Sequence, residues 1–239
     1  MVQIEGLHHA FDEDEPVLAG IDLHIARGGI RVILGGSGSG KSTILRLILG
    51  LIKPQKGVIR VDGNDVVPMS EKELQKVRRD IGMVFQSAAL FDSLTVRENV
   101  GYRFYEEGGL SEEEIEERVL EKLSFVNLEE TLDMYPAELS GGMKKRVAIA
   151  RALATNPHLI LFDEPTTGLD PITAHQVTDH ILELNRRWGV TSIVVTHDLK
   201  YAFKVARKLS MIKDGKIIFD GTKEELLESK DSYVQQFLE

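Results

Sequence analysis

Gly35-Gly36-Ser37-Gly38-Ser39-Gly40-Lys41-Ser42-Thr43 has the spacing G-x-x-x-x-G-K-[ST] of a phosphate-binding loop. Ile30-Arg31-Val32-Ile33-Leu34 before it reads as a short buried strand, and Ile44-Leu45-Arg46-Leu47-Ile48-Leu49 after it reads as a helix stopping near Gly50 and Pro54. A strand, a glycine loop and a helix start are the context the motif needs. Glycines let the backbone curl so that successive N–H groups face phosphate oxygens. The helix start adds unpaired N–H groups and partial positive charge. In such a loop Lys41 reaches the β- and γ-phosphates and Ser42 holds Mg²⁺. Taken alone, the stretch also fits a glycine-rich surface turn with a stray lysine, so the rest of the chain must decide.

With 239 residues the chain has room for one large or two small domains. Its hydrophobic content of 42% and charged content of 28% suit a soluble globular fold. No apolar run approaches the roughly 20 residues that cross a bilayer. Met1-Val2-Gln3-Ile4-Glu5-Gly6 has neither the basic start nor the apolar core of a signal peptide. Without cysteine there are no disulfides or thiolate-bound metals, and a reducing cytoplasm is expected. A net charge of −9 argues against wide contact with nucleic acid.

Up to residue 62 the chain reads as a small, mostly antiparallel β region beside the nucleotide core. Ile21-Asp22-Leu23-His24-Ile25 alternates like a half-buried strand, and Val58-Ile59-Arg60-Val61 ends at the turn signal Asp62-Gly63. Phe11 opens the polar segment Phe11 to Pro16 and is either a tucked loop aromatic or a stacking platform for a purine. Ile81 to Gln86 reads as a buried strand ending in an amide. From about 88 to 155 the pattern is helical without a clear strand, with capping boxes at Thr95–Glu98 and Ser111–Glu114. Ile115, Val119, Leu123 and Val126 share one face there, and the acidic run Glu112 to Glu117 is a solvated one. Ser140-Gly141-Gly142 starts a helix, read either as a plain N-cap or as an anion site.

Leu159-Ile160-Leu161-Phe162 is a continuous apolar run suited to a central parallel strand, and it ends in Asp163-Glu164. Carboxylates at such a place cost energy unless something needs them. Asp163 can serve Mg²⁺ through water, and Glu164 can face a hydrolytic water. Asp170-Pro171 opens a helix whose buried face is read as Val177, Ile181, Leu184 and Trp188, with Trp188 as core or edge packing and Gly189 as the stop. His197 follows the strand Ser192-Ile193-Val194-Val195, where ligands of open α/β sheets sit. Asp214-Gly215 marks a hairpin. Tyr233, Phe237 and Leu238 in the tail dock on their own domain or on a partner.

In order, the loop at 35–43, Gln86 after a strand, Leu139-Ser140-Gly141-Gly142, and Leu161-Phe162-Asp163-Glu164-Pro165 followed by His197 resemble the ATP-binding subunit of an ABC transporter over nearly the whole chain. The resemblance implies an α/β fold: a P-loop NTPase (RecA-like) core with an antiparallel β subdomain and an inserted α-helical subdomain. One ATP-binding domain would span 1–239, with 1–87 and 156–239 as core and 88–155 as the helical part. It implies ATP and Mg²⁺ as cofactors. Phe11 would stack on adenine. Residues 35–43, namely Gly35, Gly36, Ser37, Gly38, Ser39, Gly40, Lys41, Ser42 and Thr43, would hold phosphate, while Ser42, Gln86 and Asp163 would reach Mg²⁺. Glu164 would be the general base, and His197 would touch the γ-phosphate, with Gln86 and Lys41 completing the catalytic set. Ser140, Gly141, Gly142 and Met143 would act on the ATP of a second copy across an interface that Thr167, Gly168, Leu169 and Asp170 also cross.

Met143 departs from the family pattern, which usually has glutamine there, and a thioether cannot replace amide hydrogen bonds. Leu-Ser-Gly-Gly-Met is similar to the Mla-type branch, as are Asp170-Pro171-Ile172-Thr173, Glu183-Leu184-Asn185 and the ending Tyr233 to Leu238. That branch implies phospholipid transport with MCE-type and small accessory subunits, at the cytoplasmic face of a bacterial inner membrane. Ser87 to Tyr105, with Leu90, Phe91 and Leu94, would line a groove for a permease helix. The short tail after the last expected strand leads to the expectation that no C-terminal regulatory domain follows, and that the tail reaches a neighbouring subunit. Competing readings are an importer of an amino acid or another solute, a soluble non-transport ATPase of DNA repair or translation, and a degenerate nucleotide-binding module. Missing heptads and the acidic balance weigh against the second, and intact Lys41, Glu164 and His197 against the third.

Overall fold

The computed structural model describes residues 1–12 and 15–239; Glu13 and Asp14, in the segment read as a polar loop, lie outside the described residues. The chain opens with β1 (Val2–Asp12) and β2 (Glu15–Ile25), then β3 (Ile30–Leu34), α1 (Lys41–Ile48), β4 (Lys56–Val61), β5 (Asn64–Asp65), α2 (Glu71–Arg79) and β6 (Ile81–Val84). A helical stretch follows, with α3 (Val96–Glu107), α4 (Glu112–Phe125), two 3₁₀ turns and α5 (Gly141–Leu153). The chain then returns through β7 (Leu159–Asp163), α6 (Pro171–Trp188), β8 (Thr191–Thr196), α7 (Leu199–Val205), β9 (Lys208–Lys213), β10 (Lys216–Gly221), α8 (Lys223–Leu227) and α9 (Ser232–Leu238).

Two sheets result. One is antiparallel in the order β2-β1-β4-β5, and the other is six-stranded in the order β10-β9-β3-β8-β7-β6. In the second, β6, β7, β8, β3 and β9 run parallel, so all their carboxyl ends open on one edge, and only β10 is antiparallel. The strands Ile-Arg-Val-Ile-Leu and Leu-Ile-Leu-Phe-Asp are buried at every position, as a sheet covered on both faces demands.

Strand alternation divides the core in two. Leu159, Leu161, Ile193, Val195, Ile33 and Ile212 face a layer made of α1 and the antiparallel sheet. Ile160, Phe162, Val194, Val32, Leu34 and Met211 face the opposite layer, made of α3 to α7 with the final helices. Burying one such side chain is worth about 1.5–3 kcal/mol. The helical stretch therefore shares a core with the sheet, and α5 lies close on β6: a Cβ on Gly82 would stand 2.7 Å from the Ala152 carbonyl oxygen.

One side chain departs from the sequence reading. Trp188 does not share the buried face of α6 with Val177, Ile181 and Leu184: it is 49% exposed and packs its ring 4.9 Å from that of Phe125. It is the last helical residue, beyond the strip that meets the sheet. The tail folds back on its own domain, with Val234 fully buried and Tyr233, Phe237 and Leu238 against the core.

Candidate functional site

The loop after β3 curls through left-handed Gly38 (φ +76°) and Gly40 (φ +98°). Its close packing explains its glycines. A Cβ on Gly35 would stand 2.6 Å from the Ile212 carbonyl oxygen, and one on Gly40 would stand 2.7 Å from Leu18 Cδ2. Lys41, nearly buried, donates from Nζ to the carbonyls of Gly35 (2.8 Å) and Gly36 (2.9 Å). The Tyr233 hydroxyl stands 3.5 Å from where a Cβ on Gly36 would be, so α9 closes one side of the loop. Ser37 is exposed and Thr43 is buried in α1, while the buried Ser39 hydroxyl has no hydrogen-bond partner among the described residues.

The carboxylates arrive at the end of β7. Ser42 Oγ donates to Asp163 Oδ1 at 2.8 Å, two hard oxygen ligands side by side. Among the described residues there is no cluster of three His, Cys, Asp or Glu able to hold a metal by itself. The Ser42–Asp163 oxygen pair suits Mg²⁺, which is usually held by one or two protein oxygens with substrate phosphates.

Glu164 follows in the left-handed region, φ +47°, a conformation that costs a non-glycine residue on the order of 1 kcal/mol. Its N–H donates to the Val195 carbonyl (2.9 Å), which pins it beside β8. Its Oε1 lies 3.5 Å from Lys41 Nζ and 3.0 Å from His197 Nδ1, and its Oε2 accepts from Thr167 Oγ1 at 3.1 Å. An ionised carboxylate only accepts, so Nδ1 of His197 is the protonated nitrogen. Burial pushes the Glu164 carboxyl upward. The His197 hydrogen bond and charge, Lys41 and the Thr167 hydroxyl outweigh it and hold the carboxyl below its usual range.

The outlying residues are placed less tightly. Strand β6 ends at Val84, two residues before Gln86, whose side chain is exposed while its carbonyl faces inward to Lys145. Phe11 is 60% exposed at the end of β1, with the buried His9 ring edge-on beneath it at 4.9 Å. Ser140 caps α5 by accepting from the Met143 N–H (3.2 Å). Ser140 and Gly141 are exposed, and Met143 is half-buried. Gly142 packs on Thr173 so tightly that a Cβ there would meet Cγ2 at 2.1 Å. Gly168 and Asp170 are exposed beside this helix start, with Leu169 between them, and Asp170 caps α6. The signature stretch and this loop thus form one surface, which the Thr167 hydroxyl links to Glu164 in the chain's own Lys41–Glu164–His197 cluster.

Two residues escaped the sequence reading. Lys145 is buried on α5 and donates to the carbonyls of Gln86 and, at 3.3 Å, of Glu164. A lysine on the inward strip Gly142-Lys145-Ile149 was the available signal. Asn99, fully buried on α3, accepts from the Phe91 N–H and donates to the carbonyls of Phe91, Leu94 and Thr95, at 2.8 to 3.0 Å. It shapes the loop beside a groove of about 320 Å³ lined by Met83, Phe85, Phe91, Tyr102 and Arg151.

A family model described as ABC transporter matches residues 18–167. The chain is 43% identical over 225 residues to the intermembrane phospholipid transport system ATP-binding protein MlaF of Haemophilus influenzae, covering 94% of this chain and 85% of that one. It is 42% identical to the methionine import ATP-binding protein MetN of Corynebacterium diphtheriae, covering 92% of this chain and spanning 66% of that longer relative. Among solved structures, the dimeric post-hydrolysis state of the ATP-binding cassette MJ0796 bound to ADP and Pi superposes with a TM-score of 0.86 at 38% identity, covering 93% of this chain and 98% of that one.

Proposed function

This chain belongs to the ABC transporter family, and from that premise we propose that it powers phospholipid movement as the ATP-hydrolysing subunit of a bacterial envelope transporter. As a family member it is an ATPase, and its cofactors are ATP and Mg²⁺. The observation that carries the site assignment is the convergence of Lys41, Ser42, Asp163, Glu164 and His197, from three parallel strand ends, into contacts of 2.8 to 3.5 Å.

Phosphoryl transfer to water asks for positioning and charge neutralisation rather than covalent help. The amides of residues 35–43 and Lys41 orient the phosphates. Ser42 and Asp163 would hold Mg²⁺, with Gln86 proposed as a further ligand, and the ion would supply charge neutralisation at the phosphate oxygens. Glu164, kept ionised by its neighbours, orients the attacking water and accepts its proton. His197 holds the Glu164 carboxylate through Nδ1. Phe11 stacks on the purine.

The exposed start of α5 and the neighbouring Gly168–Asp170 loop close over the nucleotide of a second copy. ATP thereby favours the paired state, and hydrolysis releases it. The dimeric state described for MJ0796 supports this reading. A permease segment fits the groove beside Phe91 and Tyr102, two exposed aromatics whose rings lie 4.9 Å apart. Among the described residues no helix is long and apolar enough to cross a membrane, so attachment to the cytoplasmic face of the inner membrane runs through that partner. MCE-type and accessory subunits complete the complex on the same reading.

The phospholipid assignment rests on the likeness to MlaF and on Leu-Ser-Gly-Gly-Met at 139–143. Purification of the tagged chain from its membranes tests it. The expected result is a co-purifying permease with bound phospholipid and an ATPase stimulated by phospholipid. Stimulation by an amino acid with no lipid bound would replace it with the importer reading, which the likeness to MetN keeps in play.

A further inference from the structure

Helix α5 reaches into the site with a cation of its own. Lys145 lies two residues beyond Met143 and is 5% exposed, on a strip whose neighbours Val147, Ala148 and Ile149 are fully buried. A buried ammonium is costly unless its protons find acceptors. Here the acceptors are two main-chain carbonyls on separate loops, those of Gln86 after β6 and Glu164 after β7. Glu164 belongs to the cluster described above, Gln86 shares its Lys145 donor, and α5 is the helix whose exposed start carries Ser140 and Gly141.

We infer that Lys145 is a positioning residue: it ties the signature helix to the backbones of Gln86 and Glu164 and so fixes the direction of the Glu164 carboxylate. Three observations support it. The Glu164 backbone is left-handed without being glycine, so it persists only when its surroundings hold it. Its N–H is held by Val195, while its carbonyl accepts from the Thr167 N–H (3.3 Å) and from Lys145. The loop beyond Gln86 is gripped by the same helix, because Arg151 donates to the carbonyls of Ala88 (2.9 Å) and Ala89 (2.7 Å), two consecutive left-handed alanines. Burial lowers the Lys145 ammonium from the usual lysine range, and the charges of Asp163 and Glu164 pull the other way.

This inference rests on Glu164 as the base, and the test separates the two. Lys145→Met keeps the apolar stem and removes the donor; Lys145→Arg restores donors to both carbonyls. Steady-state phosphate release, thermal melting and the double variant Lys145→Met/Glu164→Gln are measured on the dimer-competent protein. For Lys145→Met the expected result is a kcat lower by tenfold or more, a KM for ATP within threefold and a small change in Tm. Lys145→Arg should recover most of the kcat. In the Glu164→Gln background Lys145→Met should lower kcat by less than twofold, because it acts through the same carboxylate. The inference is overturned if Lys145→Met turns over normally, if kcat falls only in step with melting, or if its effect in the Glu164→Gln background is undiminished. Normal turnover by Glu164→Gln alone would instead remove the base assignment.

Discussion

Glu164→Gln is the perturbation that reads the site most directly. The substitution keeps the side chain's size and its inner oxygen, so Lys41 and His197 retain an acceptor. The new amide nitrogen faces Thr167, whose hydroxyl can rotate and accept. No hydrogen bond is lost from the set at 3.0 to 3.5 Å around this carboxylate. What disappears is the charge beside Lys41 and the ability to take a proton. Lys41 still donates to two carbonyls, so its uncompensated charge costs less than the 3–5 kcal/mol of a broken buried pair. A loss of about 1–2 kcal/mol lowers Tm by only several degrees in a domain of this size. Loss of a positioned general base lowers kcat by about 10²–10⁴-fold, which is ~2.7–5.5 kcal/mol of barrier. Removing a negative charge near the γ-phosphate leaves ATP binding intact or tighter, so paired molecules accumulate. Phosphate release at saturating Mg-ATP, with size-exclusion chromatography in ATP, reads both effects. A kcat within threefold of the parent protein would refute the reasoning.

Other substitutions probe the supports of this site. Gly35→Ala sets a methyl 2.6 Å from the Ile212 carbonyl and 2.7 Å from Ser39 Oγ, and the sheet carbonyl cannot retreat. The loop must shift, and nucleotide affinity measured by fluorescence titration should fall tenfold or more; unchanged affinity would mean that the cradle is not held by that contact. Phe162→Ala empties a fully buried position behind the two carboxylates and should cost ~3–5 kcal/mol in urea unfolding. A loss under 1 kcal/mol would show the layer collapsing freely. Asn99→Ala orphans the Phe91 N–H and the Leu94 carbonyl, while the Phe91 and Thr95 carbonyls keep the backbone N–H groups of residues 94 and 99. It should cost about 1–3 kcal/mol and speed amide exchange at Phe91, and an unchanged exchange rate would remove Asn99 as the organiser of the groove.

Local chemistry was legible from the sequence wherever local spacing dictates it. The glycine loop needs its residues at fixed offsets, and Asp163-Glu164 stands out because charge at the end of an apolar strand is costly. The capped starts at Thr95, Ser111, Ser140 and Asp170 are equally local, and each is observed. Helix α2 carried the same sign, a box between Ser70 and Glu73, and went unread. What spacing cannot encode is pairing. That β3 lies between β8 and β9 depends on contacts more than 150 residues apart, as in Ile30 opposite Ser192. Lys145 was hidden for the same reason: its acceptors are carbonyls, which no side-chain pattern reveals. Tyr233 was read as a residue that docks, and its place beside Gly36 follows from the tail turning back, a choice the residues alone left open.

Position in the sheet explains why so few residues do so much. Parallel strands send every following loop to one edge, so the phosphate loop, the carboxylates and His197 meet without any long excursion of the chain. The helical stretch meets them through α5, since α3 and α4 pack on α5 and α5 packs on β6. Its hold on the site side is polar and specific: Lys145 on Gln86 and Glu164, Arg151 on Ala88 and Ala89. Its hold on the sheet is apolar and broad, through Val147, Ala148 and Ile149. A tilt of α5 would carry Lys145 and Arg151 with it and redirect the carbonyls they hold. A contact at the exposed start of α5 therefore has a short mechanical route to the Glu164 carboxylate, and that route is available only because the helix carries cations where an ordinary core helix would carry leucine.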